Sequence, residues 1–322
     1  MRAIVFDHYG PPEELTLQEV PAPEPQANEV LVSVRAAALN AADWHVLRAD
    51  PFLVRLMCGF FTPRRQRLGA DVAGVVRAVG AGVTRFKAGD EVFGCLPLDA
   101  WGSYAEQVCA AQDVLALKPA RASFDEAAAV PLAGLTALQA LRKVGQLQAG
   151  HKVLVNGASG GVGTFAVQIA KALGAEVTAV CSSRNAESAR ASGADHVLDY
   201  ATVDFTQQPQ RYDVIVAANG YHPLAAYRRA LAPHGRYAMV GGAGRQMAEA
   251  IFFGPWLSES GGRRLGRVDM KPNQADMQFL ADLLAAGKLR PVIDRRYGLE
   301  QVPEAIRYLE EGHARGKVVV TL

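Results

Sequence analysis

Near residue 120 the chain changes its hydrophobic rhythm. Before that point apolar and polar positions alternate in short runs broken by turn residues. Residues 29–36 and 73–79 read as strands, and 86–93 as a turn running into another strand. Alternation with period two sends every second side chain to one face of a sheet, so these runs predict a compact β-rich domain or partial barrel. After that point Ser123-Phe124-Asp125-Glu126 forms a capping box that opens an alanine-rich helix. Apolar strands at 152–155, 176–181, 214–217 and 236–240 then alternate with helical stretches at 164–173, 186–192 and 224–231. Continuous apolar strands separated by helices mean a parallel sheet covered on both faces. Helices over 275–286 and 303–311 and a strand over 317–322 close the chain. The predicted fold class is α/β, a doubly wound parallel sheet joined to a β-rich domain.

The most informative stretch is Val153-Leu154-Val155-Asn156-Gly157-Ala158-Ser159-Gly160-Gly161-Val162-Gly163-Thr164. A strand ends in a glycine turn and a helix begins, which is the context a dinucleotide fingerprint requires. Glycine at the turn permits the backbone twist, glycine further on lets a pyrophosphate approach the main chain, and the last lets helix and strand pack closely. The helix start then offers unpaired N–H groups to the phosphate charge. Gly157, Ser159, Gly160, Gly161, Val162 and Gly163 are therefore assigned to a cofactor, against the alternative of a tight turn that binds nothing. An NAD site usually ends its second strand in a carboxylate that bonds the ribose 2′-hydroxyl. Here the strand ends Cys181-Ser182-Ser183-Arg184. Hydroxyls and a guanidinium suit a 2′-phosphate, so Ser182, Ser183 and Arg184 favour NADPH. The competing role for Arg184 is to cap a surface turn.

Charge and cysteine usage narrow the classes. In 322 residues, 34 Lys and Arg against 32 Asp and Glu give +2, without the clustered basic face of a nucleic-acid binder. The nearest approach, Arg64-Arg65-Gln66-Arg67, reads as a solvated loop. Cys58, Cys95, Cys109 and Cys181 are scattered, with no Cys-x-x-Cys, so no structural zinc or dithiol motif is expected. No apolar stretch approaches the ~18 residues of a membrane span. The start, Met1-Arg2-Ala3-Ile4-Val5-Phe6, enters a strand-like run without the order of a signal peptide, which points to the cytoplasm.

The runs Leu68 to Val76, Phe86 to Gly94, Pro131 to Ala137 and the glycine loop together resemble the medium-chain dehydrogenase/reductase superfamily over essentially the whole chain. That resemblance implies a GroES-like catalytic domain at 1–120, a Rossmann dinucleotide-binding domain at 121–260, and a segment at 261–322 that returns to the catalytic domain. Where zinc enzymes of the family carry their catalytic ligands, this chain has Asn40, Ala70 and Leu132. These cannot supply the three N, S or carboxylate ligands a catalytic zinc needs. Only Cys95 stands where a four-cysteine structural lobe would be. The resemblance thus narrows to the zinc-independent, zeta-crystallin-like quinone reductases. It implies Asn40 and Asp43 in the catalytic site, Thr136 beside the nicotinamide, Tyr200 by the 2′-phosphate, and Gly241 and Gly242 by the nicotinamide ribose. Asn219 stands, with Gly220, where a glycine pair is commoner. His45 matches a proton-relay histidine of the zinc enzymes but has lost its hydroxyl partner to Ala42, and is read as a surface or packing residue.

The expected chemistry is hydride transfer from NADPH to a quinone or enone, a small electrophile that accepts negative charge without a Lewis acid. Asn40 is the candidate oxyanion donor, with Asp43 holding its orientation; a structural role for Asn40 at a strand end competes with this. A 2-alkenal or enoyl reductase, and a weakly catalytic NADPH-binding structural or sensor protein, are the rival functions. A homo-oligomer, preferably a dimer, is expected. The apolar run Pro51 to Phe61 fits domain packing, a lid over the substrate pocket, or a shallow membrane contact with Arg64, Arg65 and Arg67 at the headgroups.

Overall fold

A computed structural model of the chain describes residues 1–242 and 262–322. The chain divides into two compact units. The first comprises Met1–Leu132, Lys271–Gly287 and Pro291–Leu322; the second comprises Ala133–Met270 and Lys288–Arg290.

In the first unit β1 (Arg2–Val5) pairs antiparallel with β2 (Thr16–Glu19). The main sheet uses β3 (Glu29–Leu39), β4 (Asp71–Val79), β5 (Glu91–Cys95), β6 (Gln107–Ala111), β7 (Leu115–Leu117), β14 (Ile293–Gly298) and β15 (Lys317–Thr321). Its order is β14-β15-β3-β4-β5-β7, with β6 also paired to β3. The alternation seen in the sequence is real along β3, where Val30, Val32 and Val34 are buried. From Ala36 to Leu39 every residue is buried, where β3 runs between β4 and β15 and the helix Phe124–Ala129 packs on these three strands. The sequence pattern ended the strand at 36 for that reason: a stretch covered on both faces no longer alternates. Helices α1 (Ala41–Arg48), α2 (Val54–Cys58), α3 (Phe124–Ala129), α8 (Gln274–Ala285) and α9 (Val302–Glu310) complete this unit.

The second unit holds β8 (Lys152–Asn156), β9 (Glu176–Cys181), β10 (His196–Asp199), β11 (Tyr212–Ala217), β12 (Leu231–Met239) and β13 (Arg264–Arg267). All are parallel, in the order β10-β9-β8-β11-β12-β13. Renumbered within the unit this is 3-2-1-4-5-6, the doubly wound order whose direction reverses between β8 and β11. Helices α5 (Gly161–Ala172), α6 (Ala186–Ala191) and α7 (Leu224–Ala230) connect the strands. Leu154, Val180, Ile215, Tyr227 and Tyr237 form one buried cluster across the sheet.

The first domain limit lies later than residue 120. Helix α3 carries the predicted capping box, with Ser123 Oγ accepting from Glu126 N–H at 3.2 Å, and it packs on β3 and β4. The division falls instead within α4 (Pro131–Gln139). At the other end, β13 extends the parallel sheet, so residues up to Met270 belong to the dinucleotide unit; the limit expected at 260/261 lies outside the described residues.

Candidate active site

In the second unit β8 ends at Asn156 and α5 begins at Gly161, with Gly160 as its N-cap and no side chain capping it. The free N–H groups of this 12-residue helix are therefore available to an anion. Gly157 sits at φ +84°, where a side chain would be strained, and a Cβ there would lie 2.8 Å from Asn219 Cβ. A Cβ on Gly163 would lie 2.0 Å from Gly157 O, so only glycine lets the helix approach the turn. At Gly160 the nearest atom would be 3.6 Å away. Ser159, Gly160, Gly161 and Val162 stay half-buried, leaving the cradle open on the ligand side.

Apart from Thr136, the other predicted cofactor residues gather at the same C-terminal edge. Tyr200 follows β10 and donates its N–H to Cys181 O at 3.3 Å, placing it beside the end of β9. Ser182 Oγ accepts from Asn185 Nδ2 at 3.2 Å, while Ser183 and Arg184 are exposed. Asn219 N–H donates to Asn156 O at 3.2 Å, and Gly241 N–H donates to Ala217 O at 3.2 Å. Gly242 forms a bridge with Gly220. Thr136 is buried on α4.

In the first unit Asn40 and Asp43 belong to a buried polar cluster whose other members were not predicted. Asp43 is fully buried and accepts from Asn40 N–H (2.7 Å), Gly69 N–H (3.1 Å) and Tyr104 Oη (2.9 Å). Burial pushes its carboxyl up to about 6, against the pull of those donors. The register of β3 with β4 and β15 sets Ala38 opposite Asp71 and Leu39 opposite Val318. Asp71, fully buried, thus meets Lys317, 3% exposed. Lys317 Nζ donates to Leu39 O (2.9 Å), Asn40 Oδ1 (2.5 Å) and Asp71 Oδ2 (3.2 Å), which uses all three of its protons. Asp71 also accepts Asn40 Nδ2 (3.0 Å) and Leu132 N–H (2.7 Å). Burial raises the Asp71 carboxyl, and the Lys317 ammonium opposes this most strongly.

The expected division of labour between Asn40 and Asp43 changes accordingly. Asp43 holds the backbone of Asn40, and the Asn40 amide is oriented by Asp71 and Lys317 instead. The second amide proton of Asn40 makes a longer bond, 3.3 Å, to Ala38 O. His45, excluded from the catalytic set, bonds Asp50 O through Nδ1 and stacks on Trp44. One signal for the missed pair was present in the sequence: Asp71 and Lys317 each border an otherwise apolar run, and a buried charge needs a partner.

Two family models match, an alcohol dehydrogenase GroES-like domain over residues 26–140 and a zinc-binding dehydrogenase over 192–320. A chloroplast envelope quinone oxidoreductase homolog of Arabidopsis thaliana is 35% identical, covering 99% of this chain and 98% of its own. The chain belongs to the medium-chain dehydrogenase/reductase superfamily, in its quinone oxidoreductase branch. The human mitochondrial NAD(P)H oxidoreductase RTN4IP1 is 33% identical, with 100% of this chain and 89% of that protein covered. Among solved structures, the quinone oxidoreductase of Coxiella burnetii superposes with a TM-score of 0.86 at 32% identity, covering 100% and 99% of the two chains. Like its relatives, this family member is an oxidoreductase that binds a nicotinamide cofactor. The zinc named in one family model does not fit here. Asn40 is committed to the buried cluster, Ala70 has no donor side chain, and Leu132 offers only its backbone. Among the described residues no group of three His, Cys, Asp or Glu side chains could hold a metal ion. Asn40, Ala70 and Leu132 also lie outside the 192–320 match.

Proposed function

We propose that this chain reduces quinones and related conjugated carbonyl compounds with NADPH, without a metal. The observation that carries the reading is the open glycine cradle at the point where the parallel sheet reverses order, with Ser182, Ser183, Arg184 and Tyr200 at the neighbouring strand ends. No carboxylate ends β9. Asp199, at the end of β10, accepts the N–H of Ala201 at 2.9 Å and so serves its own turn. A 2′-phosphate suits the exposed guanidinium and hydroxyls better than a 2′-hydroxyl does.

The nicotinamide, when bound, supplies a hydride. The rest of the work falls to the chain. Gly157 to Gly163 hold the pyrophosphate against the start of α5, which fixes the donor and removes much of the entropic barrier. A conjugated carbonyl takes up the negative charge itself, so a hydrogen-bond donor can do what a metal does for an alcohol. Asn40 is that donor: the proton it lends to Ala38 O over 3.3 Å is the one free to be redirected, while Asp71 and Lys317 keep the amide plane fixed. The quinone class rests on the names of the Arabidopsis and Coxiella relatives. An NADPH-consumption screen over quinones, alkenals and enones tests the reading. Turnover of at least one class is expected; tight NADPH binding with no electrophile consumed would instead make the chain a binding module.

A further inference from the structure

The apolar run from Pro51 to Phe61 is not core. Phe52 is 62% exposed, Leu56 61% and Phe61 85%. The rings of Phe52, Phe60 and Phe61 meet edge to face at 5.8 and 5.0 Å, so the run has its own surface packing. Through Met57 and Cys58 it also lines a cavity of about 400 Å³ in the first unit. That volume lies within the roughly 300–1,000 Å³ range of small-molecule sites.

The lining is amphipathic. Val46, Met57, Leu98 and Trp101 make the wall apolar, while Arg64, Arg65 and Arg67 bring three guanidiniums and Asp99 one carboxylate. Among the described residues, none of the three arginines makes a salt bridge. Burial, and then the like charge of Arg65, pull the Arg67 guanidinium below its usual value, as expected of a cation short of counter-charge. Arg64 and Arg65 reach solvent at the cavity mouth, while Arg67 is half-buried and gains most from an anion that joins it.

The cavity shares its framework with the Asn40–Asp43 cluster. Val46 lies on α1, one turn after Asp43. Arg67 precedes Gly69, whose N–H donates to Asp43. Trp101 precedes Gly102 and Ser103, whose N–H groups donate to Gly69 O at 3.0 and 3.2 Å.

The geometry points to a binding site for an apolar molecule ending in a carboxylate, which Arg64, Arg65 and Arg67 hold while its body lies against Met57, Leu98 and Trp101. Resting on the function proposed above, this makes the preferred substrate a conjugated carbonyl on an aliphatic chain with a terminal carboxylate. Burial of the methylenes holds the chain, and the guanidiniums select the charged end.

Decanoate and 1-decanol, differing only in the head group, test the site directly. Their binding to the full chain is followed by calorimetry and by tryptophan fluorescence, to which Trp101 reports from the wall. Decanoate should bind roughly tenfold tighter or more, the worth of one charge-assisted hydrogen bond, and added salt should weaken decanoate alone. Arg64→Gln, Arg65→Gln and Arg67→Gln combined should bring the ratio to about one, with 1-decanol affinity unchanged, and Arg65→Gln alone should reduce it in part. Equal affinities in the unaltered protein, which needs no variant to fold, would overturn the proposal. So would arginine-dependent binding to phosphatidylserine vesicles without any decanoate preference, an outcome that would reassign the run to a membrane surface. Neither probe needs cofactor or turnover, so a failed hydride transfer leaves this result standing. Conversely, NADPH-dependent reduction of a small quinone, with a carboxylate-ended enone no better than its methyl ester, sinks the site and spares the reaction.

Discussion

Replacing Lys317 with Met removes the cation from the buried cluster while keeping most of the side-chain volume. Asp71 is then a fully buried carboxylate whose remaining partners, Asn40 Nδ2 and Leu132 N–H, are neutral. Leu39 O and Asn40 Oδ1 lose a donor as well. Breaking a buried pair by removing one partner costs about 3–5 kcal/mol, which is a large share of the 5–15 kcal/mol that stabilises a typical domain. Urea unfolding followed through Trp44 and Trp101 should show that loss, a fall in midpoint of roughly 1–3 M at ordinary slopes. The pH dependence has a definite sign. Lys317 holds the Asp71 carboxyl down against burial, so its removal raises the folded-state pKa further above the unfolded value. A carboxyl raised on folding contributes stability at low pH that is lost as pH rises through its folded pKa. The deficit of Lys317→Met should therefore be largest at neutral pH and shrink on acidification. Adding Asp71→Asn should recover part of it, giving a coupling of about 1–3 kcal/mol in a double-mutant cycle. A loss under about 1 kcal/mol, or strict additivity, would refute the reasoning that the ion pair holds Asn40 in place.

Three further outcomes follow from the site. Arg184→Ala should raise the Kd for NADPH roughly ten- to hundredfold and leave NADH nearly unchanged, because charge-assisted contacts contribute ~1.5–3 kcal/mol each; equal effects on both cofactors would remove Arg184 from the phosphate site. Tyr104→Phe deletes a donor to the Asp43 carboxylate, so its pKa should rise beyond about 6, read from the carboxyl carbon by NMR; an unchanged value would mean Tyr104 does not bond it in solution. Elemental analysis should find no stoichiometric zinc, and activity should survive a chelator; one tightly bound zinc lost together with activity would contradict the donor set at Asn40, Ala70 and Leu132.

The dinucleotide unit was the more legible half of the sequence. Its central strands are apolar throughout and its turn carries glycines whose replacement the geometry forbids, so local pattern and tertiary role coincide at Gly157 and Gly163. The edge strands were not visible. β10, β13 and β14 are short and polar, with Arg264, Arg267, Arg295 and Arg296 among their residues, and their pairing comes from the neighbouring strand rather than from their own periodicity. Asn40 and Asp43 were found as residues, but their bonding was not. Lys317 reaches Asn40 across 277 positions of chain, a contact fixed by the register of β15 on β3 that no local rhythm encodes. The apolar run at 51–61 carried three readings in sequence, and exposure of its phenylalanines removed packing from among them.

Hydride transfer itself is tested most directly with NADPH carrying deuterium at both nicotinamide C4 positions and an enone acceptor, since a carbon-bound deuterium does not wash out as a quinol proton would. Mass spectrometry of the product should find the label at the β-carbon, delivered without a metal in the assay. Product carrying no deuterium, or NADPH bound tightly with no enone or quinone reduced, would contradict the account.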